Sequence, residues 1–383
     1  MRRQNGGRRS LTRALATVTV AILVAACSSS GASPQPSNPA AASPSTSAAS
    51  SAPAASSAPS ATSATATAAS GCGGPSFKLG FDPALNSTDF WTAYIAFVLQ
   101  DAKDCNVEVI GPLVNKTDPA VEFTNIKTMI DEGAQALVVN PADSSAIVSA
   151  LDYAASKNIP VVSDDVAPTS GKVYMIVRAD NVLYGQESCQ YIAEHASGPG
   201  TIAMLEGNLG SLNGSDRTDG CKQAMAKFPN FKIKEYVTNW DTPTAVADAK
   251  TAISTISDLV GIYVQWSAPE DGIIAALQSA GKFVKVGSPG HIIVIGNDGT
   301  PHEHDMIRQG MLDASVSQPA NLYASLSVFY ARQALAGVTY TAGQKTDHNS
   351  TIIALLGNLE DAVPAPLVDK SNVDDPTLWG NAH

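Results

Sequence analysis

From Pro75 onward, short runs of β-branched and apolar residues alternate with helical patterns, and this alternation constrains the fold more than any other feature. The runs before residue 181 are FKLGF, VEVI, ALVVN, IPVVS and VYMIV. Helices are predicted near 90–104, 120–132 and 144–157, where apolar residues recur at three- and four-residue spacing. Strands that alternate with helices usually pair in parallel, so this segment predicts a parallel α/β sheet.

The same pattern begins again after Asn181. A helix extends to about residue 196, and the strands that follow are TIAML, FKIKEYV, GIYV and IIVIG. The helices between these strands are predicted near 215–227, 244–256 and 269–280. Because right-handed β-α-β units place helices on both faces of a sheet, the chain is predicted to form two doubly wound parallel-sheet lobes in tandem.

The N-terminus indicates an exported chain. Five arginines precede an apolar run at 14–26, which is too short to span a bilayer comfortably and is typical of a signal peptide over 1–26. The run LVAACSSS resembles the lipobox of bacterial lipoproteins, which implies that Cys27 is acylated and anchors the protein to the outer face of the cytoplasmic membrane. An ordinary signal peptide with an incidental cysteine is the alternative.

A tether is predicted over 27–74, between the signal peptide and the first strand. Residues 28–69 are almost wholly Ser, Ala, Thr and Pro, without one charged or aromatic side chain. Such a segment cannot bury enough apolar surface to offset its ordering entropy. We therefore expect it to be disordered and dispensable for any binding activity of the folded part.

The charge balance argues against nucleic acid or anionic lipid headgroups as partners. The chain has 24 Lys and Arg against 35 Asp and Glu, for a net charge of −11. Removal of the signal peptide makes this charge more negative still, because all five of its charged residues are arginines. About 300 residues remain for the folded part, which suits two domains of ordinary size or one large domain.

Four cysteines remain once Cys27 is assigned to the lipid. Cys72 and Cys105 lie at the same end of a predicted β-α unit, and Cys189 and Cys221 lie in helices that flank one strand. An even number of cysteines in an exported chain suggests disulfides, with three possible connectivities. We favour Cys72–Cys105 and Cys189–Cys221, with isolated buried thiols as the alternative.

Ligands of open α/β sheets bind at the loops after the carboxyl ends of the strands. In this chain those loops contain three tryptophans, Trp91, Trp240 and Trp266, and four carboxylates, Asp89, Asp164, Asp165 and Asp298. Aromatic faces and carboxylate acceptors suit a small polar ligand. Each aromatic taken alone could equally be a core or interface residue, so the prediction depends on their joint placement.

The order of several segments resembles the ribose-binding-protein family of sugar ABC transporters, the type I periplasmic binding proteins. The segments are IPVVSDD, ADNVLYGQESCQYIAEH, RTDGCKQAM, LQSAGK, VIGNDGTP and GMLDASVSQP, and the resemblance extends from about Phe77 to Leu355. It implies two lobes joined by a three-crossing hinge, near 179–181, 318–321 and 348–351. The first lobe is then 75–180 plus 319–349, and the second lobe is 181–318 plus 350–383.

The resemblance also implies a ligand-contacting set. Carried over by position, its members are Thr88, Phe90, Trp91, Asp165, Arg217, Trp240, Trp266, Asp298 and Gln318. The chain departs from the family at two places, with Val166 where the sugar binders usually have Arg and Trp266-Ser267 where they usually have Asn-Asp. These departures predict a pocket that is more aromatic and more acidic than a pentose site.

Asp298 and Arg217 have distinct predicted roles. Asp298 is expected to accept hydrogen bonds from ligand hydroxyls, and Arg217 to supply donors and partial charge balance. The alternative for Asp298 is a turn aspartate, because Asn-Asp-Gly is a common turn sequence.

Three other patterns do not support a metal, nucleotide or hydrolytic site. HEHD, at 302–305, follows Thr300-Pro301 and looks like a helix start with a capping box, and its alternate residues diverge on a helix. GNLGSLNG lacks both GxGxxG spacing and a Walker lysine, and neither GxSxG nor HExxH occurs in the chain. No metal or cofactor is therefore expected.

The prediction that follows is a solute receptor and not an enzyme. Two lobes are expected to close on a small sugar or polyol and to present it to an ABC permease. A ligand-loaded sensor that docks on a membrane receptor uses the same pocket and stays an alternative. A binder of an organic cation or amine is another, and an exported hydrolase is a further one, although it lacks a nucleophile–base pair.

Overall fold

The computed structural model describes residues 72–382, and the predictions for Cys27, the signal peptide and the tether up to residue 71 lie outside them. Within the described residues the strands form two sheets, which confirms the predicted α/β class with two parallel-sheet lobes. No helix among these residues is long and apolar enough to cross a bilayer.

The first sheet has seven strands, in the order β11-β12-β5-β4-β3-β1-β2. They are β1 (Lys78–Asp82), β2 (Glu108–Ile110), β3 (Ala136–Val139), β4 (Val161–Asp164), β5 (Met175–Ala179), β11 (Thr351–Leu355) and β12 (Asn358–Val363). The helices of this first lobe are α1 (Asp89–Asp104), α2 (Pro119–Asp131), α3 (Val148–Ser156) and α9 (Ala320–Leu335).

The second sheet has six strands, in the order β13-β10-β9-β8-β6-β7. They are β6 (Thr201–Glu206), β7 (Lys232–Val237), β8 (Leu259–Val264), β9 (Ile293–Asp298), β10 (Ala314–Ser317) and β13 (Leu367–Asp369). The helices of this second lobe are α4 (Asn181–His195), α5 (Leu212–Met225), α6 (Thr242–Thr255), α7 (Glu270–Ser279) and α8 (Pro301–Gln309), and a 3₁₀ turn follows at Trp379–Asn381.

The third crossing between the lobes differs from the sequence-based boundary. Residues 350–383 were assigned to the second lobe, yet β12 pairs in parallel with β5 and β11 pairs antiparallel with β12, so both strands extend the first sheet. The chain returns to the second sheet only at β13, which pairs antiparallel with β10. Helix–strand alternation cannot predict this boundary, because an edge hairpin can hydrogen-bond to either sheet.

The central strands are buried on both faces, as expected for a parallel sheet covered by helices. In β3, Ala136 and Val138 pack with the cluster under α1 and α9, whereas Leu137 and Val139 pack with the cluster under α2 and α3. Side chains therefore alternate between two separate apolar layers, and the carboxyl ends of the strands are left to carry polar groups.

Both favoured disulfides are present. Cys72 pairs with Cys105, at the C-cap of α1, and Cys189 of α4 pairs with Cys221 of α5. Helices α4 and α5 approach closely beside the second disulfide, because a side-chain carbon at Gly185 would overlap the Arg217 carbonyl. The same contact brings the start of α4 next to the Arg217 side chain.

A buried acidic cluster lies between β1 and α2. Glu122 Oε1 accepts a hydrogen bond from the Ala142 amide at 3.0 Å, while its Oε2 has no partner among the described residues. Burial raises the pKa of Glu122 to about 8 and the pKa of neighbouring Asp82 to about 7. Both carboxyls are therefore more readily protonated in the folded chain than in the unfolded one.

This cluster predicts a pH-dependent effect of Glu122→Gln. The pKa of Glu122 is higher in the folded chain than in the unfolded chain. The stability that the protonated carboxyl contributes is therefore fully present below the unfolded pKa and is lost as pH rises towards 8. The amide of the variant stays neutral over this whole range. We expect the variant to exceed wild type in unfolding free energy by on the order of 2–4 kcal/mol at pH 8, and by much less at pH 5. Urea unfolding at both pH values measures this difference. The exposed Glu132→Gln is the control, and an equal difference at both pH values would contradict the prediction.

Candidate ligand-binding site

Four predicted site residues meet where the carboxyl ends of the two sheets face each other. Asp165 follows β4 in the first lobe, Asp298 ends β9 in the second lobe, and Gln318 follows β10 at a crossing between the lobes. Arg217 reaches this place from α5 of the second lobe. All four are buried.

The Arg217 guanidinium is held by three acceptors. Its Nε donates to Asn181 Oδ1 at 2.7 Å, its Nη2 donates to Gln318 Oε1 at 2.7 Å, and its Nη1 donates to the Gln265 carbonyl. Its central carbon also lies 4.5 Å from the ring centre of Tyr184 and 5.7 Å from that of Trp240. Its plane is thus fixed by both hydrogen bonds and aromatic contacts.

Asp165 connects this guanidinium to the first lobe. Its Oδ1 accepts from Gln318 Nε2 at 2.8 Å and from Asn213 Nδ2 at 3.2 Å. We call Asp165, Asn213, Arg217 and Gln318 the interlobe network, because its members come from both lobes and from a crossing between them. Burial raises the pKa of Asp165 to about 6, and the nearby Arg217 charge opposes that rise.

Asp298 lies beside the interlobe network. Its Oδ2 accepts from the Ser267 amide at 3.0 Å and from the Ser267 hydroxyl at 2.7 Å. Its carbonyl accepts from the Gln318 amide at 2.9 Å, and burial raises its carboxyl pKa against the effect of Arg217. Asp298 therefore fixes the loop after β8 through Ser267, which is a structural role other than the predicted turn within Asn-Asp-Gly. The same carboxylate lies at the cleft beside Arg217, as the ligand-binding role requires.

Two of the predicted aromatics form one wall in the second lobe. The rings of Trp240 and Trp266 are 5.4 Å apart and nearly perpendicular. Trp240 lies over Gly207, where any side-chain carbon would overlap the indole. Trp266 also packs with the apolar cluster of the second lobe, so it serves the core as well as the loop.

The first-lobe aromatics lie at the start of α1. Thr88 is the N-cap of this helix, and its hydroxyl accepts from the Trp91 amide at 3.3 Å. Phe90 is buried and its ring centre lies 5.2 Å from that of Trp91, which is half-buried. The cap therefore fixes the helix start that carries both rings.

Two of the four predicted carboxylates lie away from the interlobe network. Asp164 accepts from the Ser327 hydroxyl of α9 at 2.8 Å inside the first lobe, and burial raises its pKa well above the usual range. Asp89 is exposed in the first turn of α1. Asp164 is the last residue of β4, whereas Asp165 follows the strand with a left-handed backbone (φ 63°), and this change of backbone direction separates the two side chains.

Several polar residues of the cleft were missed from the sequence. Asn181 accepts a hydrogen bond from Arg217, and Asn213 donates one to Asp165. Nothing in a helical sequence pattern distinguishes these two amides from surface amides. Asn140 and Asn297 lie at the ends of β3 and β9, and buried side-chain atoms of both lack a partner within residues 72–382. Their strand-end positions, in VVNPAD and VIGNDG, were available signals. Buried amides without partners are expected to meet water or a ligand.

Comparison with known proteins identifies the family. Residues 79–339 match the family model described as "Periplasmic binding protein domain". The ribose import binding protein RbsB of Escherichia coli is 28% identical over 235 residues, which is 61% of this chain and 77% of that protein. The xylitol-binding protein of Mycolicibacterium smegmatis is 28% identical over 211 residues, 55% of this chain and 58% of that protein.

Solved structures share the fold. An ABC transporter solute-binding protein from Bacillus halodurans with bound myo-inositol superimposes with a TM-score of 0.68 at 21% identity, covering 79% of this chain and 97% of that one. An ABC transporter solute-binding protein from Mycobacterium smegmatis with bound glycerol superimposes with a TM-score of 0.67 at 22% identity, covering 78% of this chain and 96% of that one. The chain therefore belongs to the periplasmic binding protein family, as a type I, ribose-binding-protein-like member.

Proposed function

We propose that this protein captures a small sugar or polyol between its two lobes and delivers it to an ABC permease. The observation that carries the proposal is the interlobe network, in which a buried guanidinium and a buried carboxylate from opposite lobes meet beside Asp298 and the Trp240 ring. Carboxylates accept from hydroxyls, a guanidinium donates to them, and an indole face packs against C–H groups. These are the groups that a neutral polyhydroxylated ligand needs.

The relatives support the same ligand class. The two relatives described above are named for ribose and xylitol, and two structures of the same fold hold myo-inositol and glycerol. Trp266 and Val166 differ from the usual sugar-binder residues, so the pocket of this chain is expected to be more aromatic and more acidic than a pentose site. We propose no catalytic role for these residues.

Closure of the lobes is supported by a second set of interlobe contacts. Arg178, at the end of β5, pairs across the lobes with Asp216 of α5 at 2.8 Å, and within its own lobe with Glu360 of β12 at 3.3 Å. Arg178 also donates to Asn213 of the interlobe network at 3.2 Å. Because ligand contacts from both lobes are complete only when the lobes are shut, ligand binding favours the closed form. The proposed lobes are 75–180 plus 319–363 and 181–318 plus 367–382.

The membrane anchor is part of the proposal. The lipobox-like LVAACSSS implies a lipid on Cys27, and the Ser-, Ala- and Pro-rich segment after it suits a tether between the membrane and the folded lobes. We infer an exported protein held at the outer face of the cytoplasmic membrane. Mass spectrometry of the mature N-terminus tests the anchor independently of ligand binding.

A thermal-shift screen tests the ligand class. The probes are D-ribose, D-allose, xylitol, myo-inositol and glycerol, with choline as the cationic comparison. A ligand at 100 times its dissociation constant stabilises the folded state by about 2.7 kcal/mol, so at least one polyol is expected to raise the melting temperature by several degrees. Stabilisation by choline without an effect of any polyol would contradict the proposal and favour the organic-cation alternative.

A further inference from the structure

We propose that Trp379, four residues before the end of the chain, is a positioning residue of the ligand cleft that sets its discrimination among hydroxylated ligands. It acts through Asp298 and Phe90, which lie in different lobes. The inference rests on the proposed function, because it concerns the same cleft. Trp379 lies outside the set of ligand residues predicted from the sequence.

The C-terminal segment is anchored firmly to the second lobe. Asn381 Oδ1 accepts from Arg308 Nη2 at 2.8 Å and lies 2.9 Å from His304 Nδ1, both on α8. Asn381 Nδ2 donates to the Val373 carbonyl at 2.8 Å. Gly380 packs so tightly against the Gly299 carbonyl that any side-chain carbon would overlap it. The 3₁₀ turn at Trp379–Asn381 therefore has a defined position next to the turn that follows Asp298.

Trp379 extends from this anchor into the cleft. Its side chain is 3% exposed, and its Nε1 donates to the Asp298 carbonyl at 2.9 Å. Its ring centre lies 6.1 Å from that of Phe90, with the rings nearly perpendicular. One side chain thus contacts a predicted ligand residue from each lobe.

The Asp298 backbone needs such support. Its φ is 120°, a region that side-chain-bearing residues rarely adopt. Such a conformation persists only when neighbouring groups hold it, and here the Trp379 indole and the Gln318 amide both donate to its carbonyl. Loss of the indole donor lets this peptide rotate, and rotation moves the carboxylate away from the position set by Ser267 and Arg217.

The consequence is a change in specificity beyond any change in affinity. A site that hydrogen-bonds a hydroxyl strongly rejects ligands that lack one at that place, because its buried polar group is then left unpaired. When Asp298 is free to shift, a poorly matched ligand loses less binding free energy than a well matched ligand does. Discrimination is therefore expected to fall.

The variant Trp379→Phe keeps an aromatic ring against Phe90 and removes the donor to Asp298 together with part of the buried indole volume. The lost volume is expected to weaken every ligand alike, whereas the lost donor is expected to change the discrimination among ligands. The control is Tyr191→Phe, which removes a polar atom from an aromatic side chain of α4 outside the cleft. Calorimetry with the five polyol probes measures affinities. We expect the ratio of weakest to tightest dissociation constant to fall by about tenfold in Trp379→Phe and to stay at the wild-type value in Tyr191→Phe.

Amide hydrogen exchange in the unliganded protein provides a second test that does not depend on the titrations. The Gln318 and Ser267 amides both donate to Asp298, so their hydrogen exchange, followed by NMR in the unliganded protein, is expected to be at least about tenfold faster in Trp379→Phe. Unchanged exchange at both amides, or an equal loss of affinity for every probe, would overturn the positioning role. If no probe binds wild type, the proposed function is contradicted, while the exchange rates still decide the role of Trp379.

Discussion

Replacing Arg217 with alanine is expected to weaken binding of a neutral polyol by at least about 100-fold, because the change removes a buried charged donor from the cleft. It also leaves Asn181 Oδ1 without its donor and Gln318 Oε1 with only the Tyr184 hydroxyl at 3.5 Å, and it removes a positive charge beside Asp165 and Asp298. Isothermal titration with the best probe of the thermal-shift screen measures the loss. Lys222→Ala, an exposed position on the same helix, is the control.

Asp298→Asn is the informative partner of this variant. A neutral ligand keeps part of its hydrogen bonding to an amide, so the expected loss is modest, about tenfold or less. For an organic cation, the larger affinity loss is expected in Asp298→Asn and the smaller one in Arg217→Ala. Such a ligand is attracted by the carboxylates and the Trp240 ring face and is repelled by Arg217. Undiminished affinity in Arg217→Ala, with a severe loss in Asp298→Asn, would therefore contradict the polyol assignment.

Removing the Cys189–Cys221 disulfide is expected to lower both stability and affinity. The bridge spans 32 residues of sequence, and closing a loop of that length stabilises by about 3–4 kcal/mol through the unfolded chain. It also fastens α5, which carries Arg217, to α4, which carries Asn181. In the double variant Cys189→Ala/Cys221→Ala we expect this loss of unfolding free energy in urea and a lower ligand affinity at a temperature where the protein stays folded.

The other disulfide provides a matched comparison. Cys72–Cys105 spans 33 residues, so its removal is expected to cost similar stability. It lies at the far end of α1 from Thr88 and Phe90, and affinity is expected to be retained. Equal affinity losses in the two double variants would show that the α4–α5 bridge has no particular role in holding Arg217.

Secondary structure was predictable because its signals are local. The helix start at Thr300 is an example, since the capping box with Glu303 predicted from the sequence is present in α8. The helix predicted over 144–157 instead begins at Val148, because Asp143 side-chain bonds to the Ser145 and Ala146 amides hold the preceding residues in a turn. Beyond the ends of elements, the sequence-based assignment also omitted whole elements, namely α9, β10 and the C-terminal strands β11, β12 and β13.

The α/β class, the two lobes and the positions of Asp165 and Asp298 on strand-end loops were predictable from the sequence, whereas Arg217 and Gln318 were placed only by the family resemblance and the cysteine pairs were a favoured choice among three. The strand-end carboxylates were predictable because strand ends are local signals and because parallel strands bring their carboxyl ends to one edge of a sheet. Only the tertiary structure decided that β12 joins the first sheet, that Asp164 turns into the lobe, and that Trp379 reaches Asp298. Each of these depends on contacts between residues distant in the chain, which local propensity and periodicity do not encode.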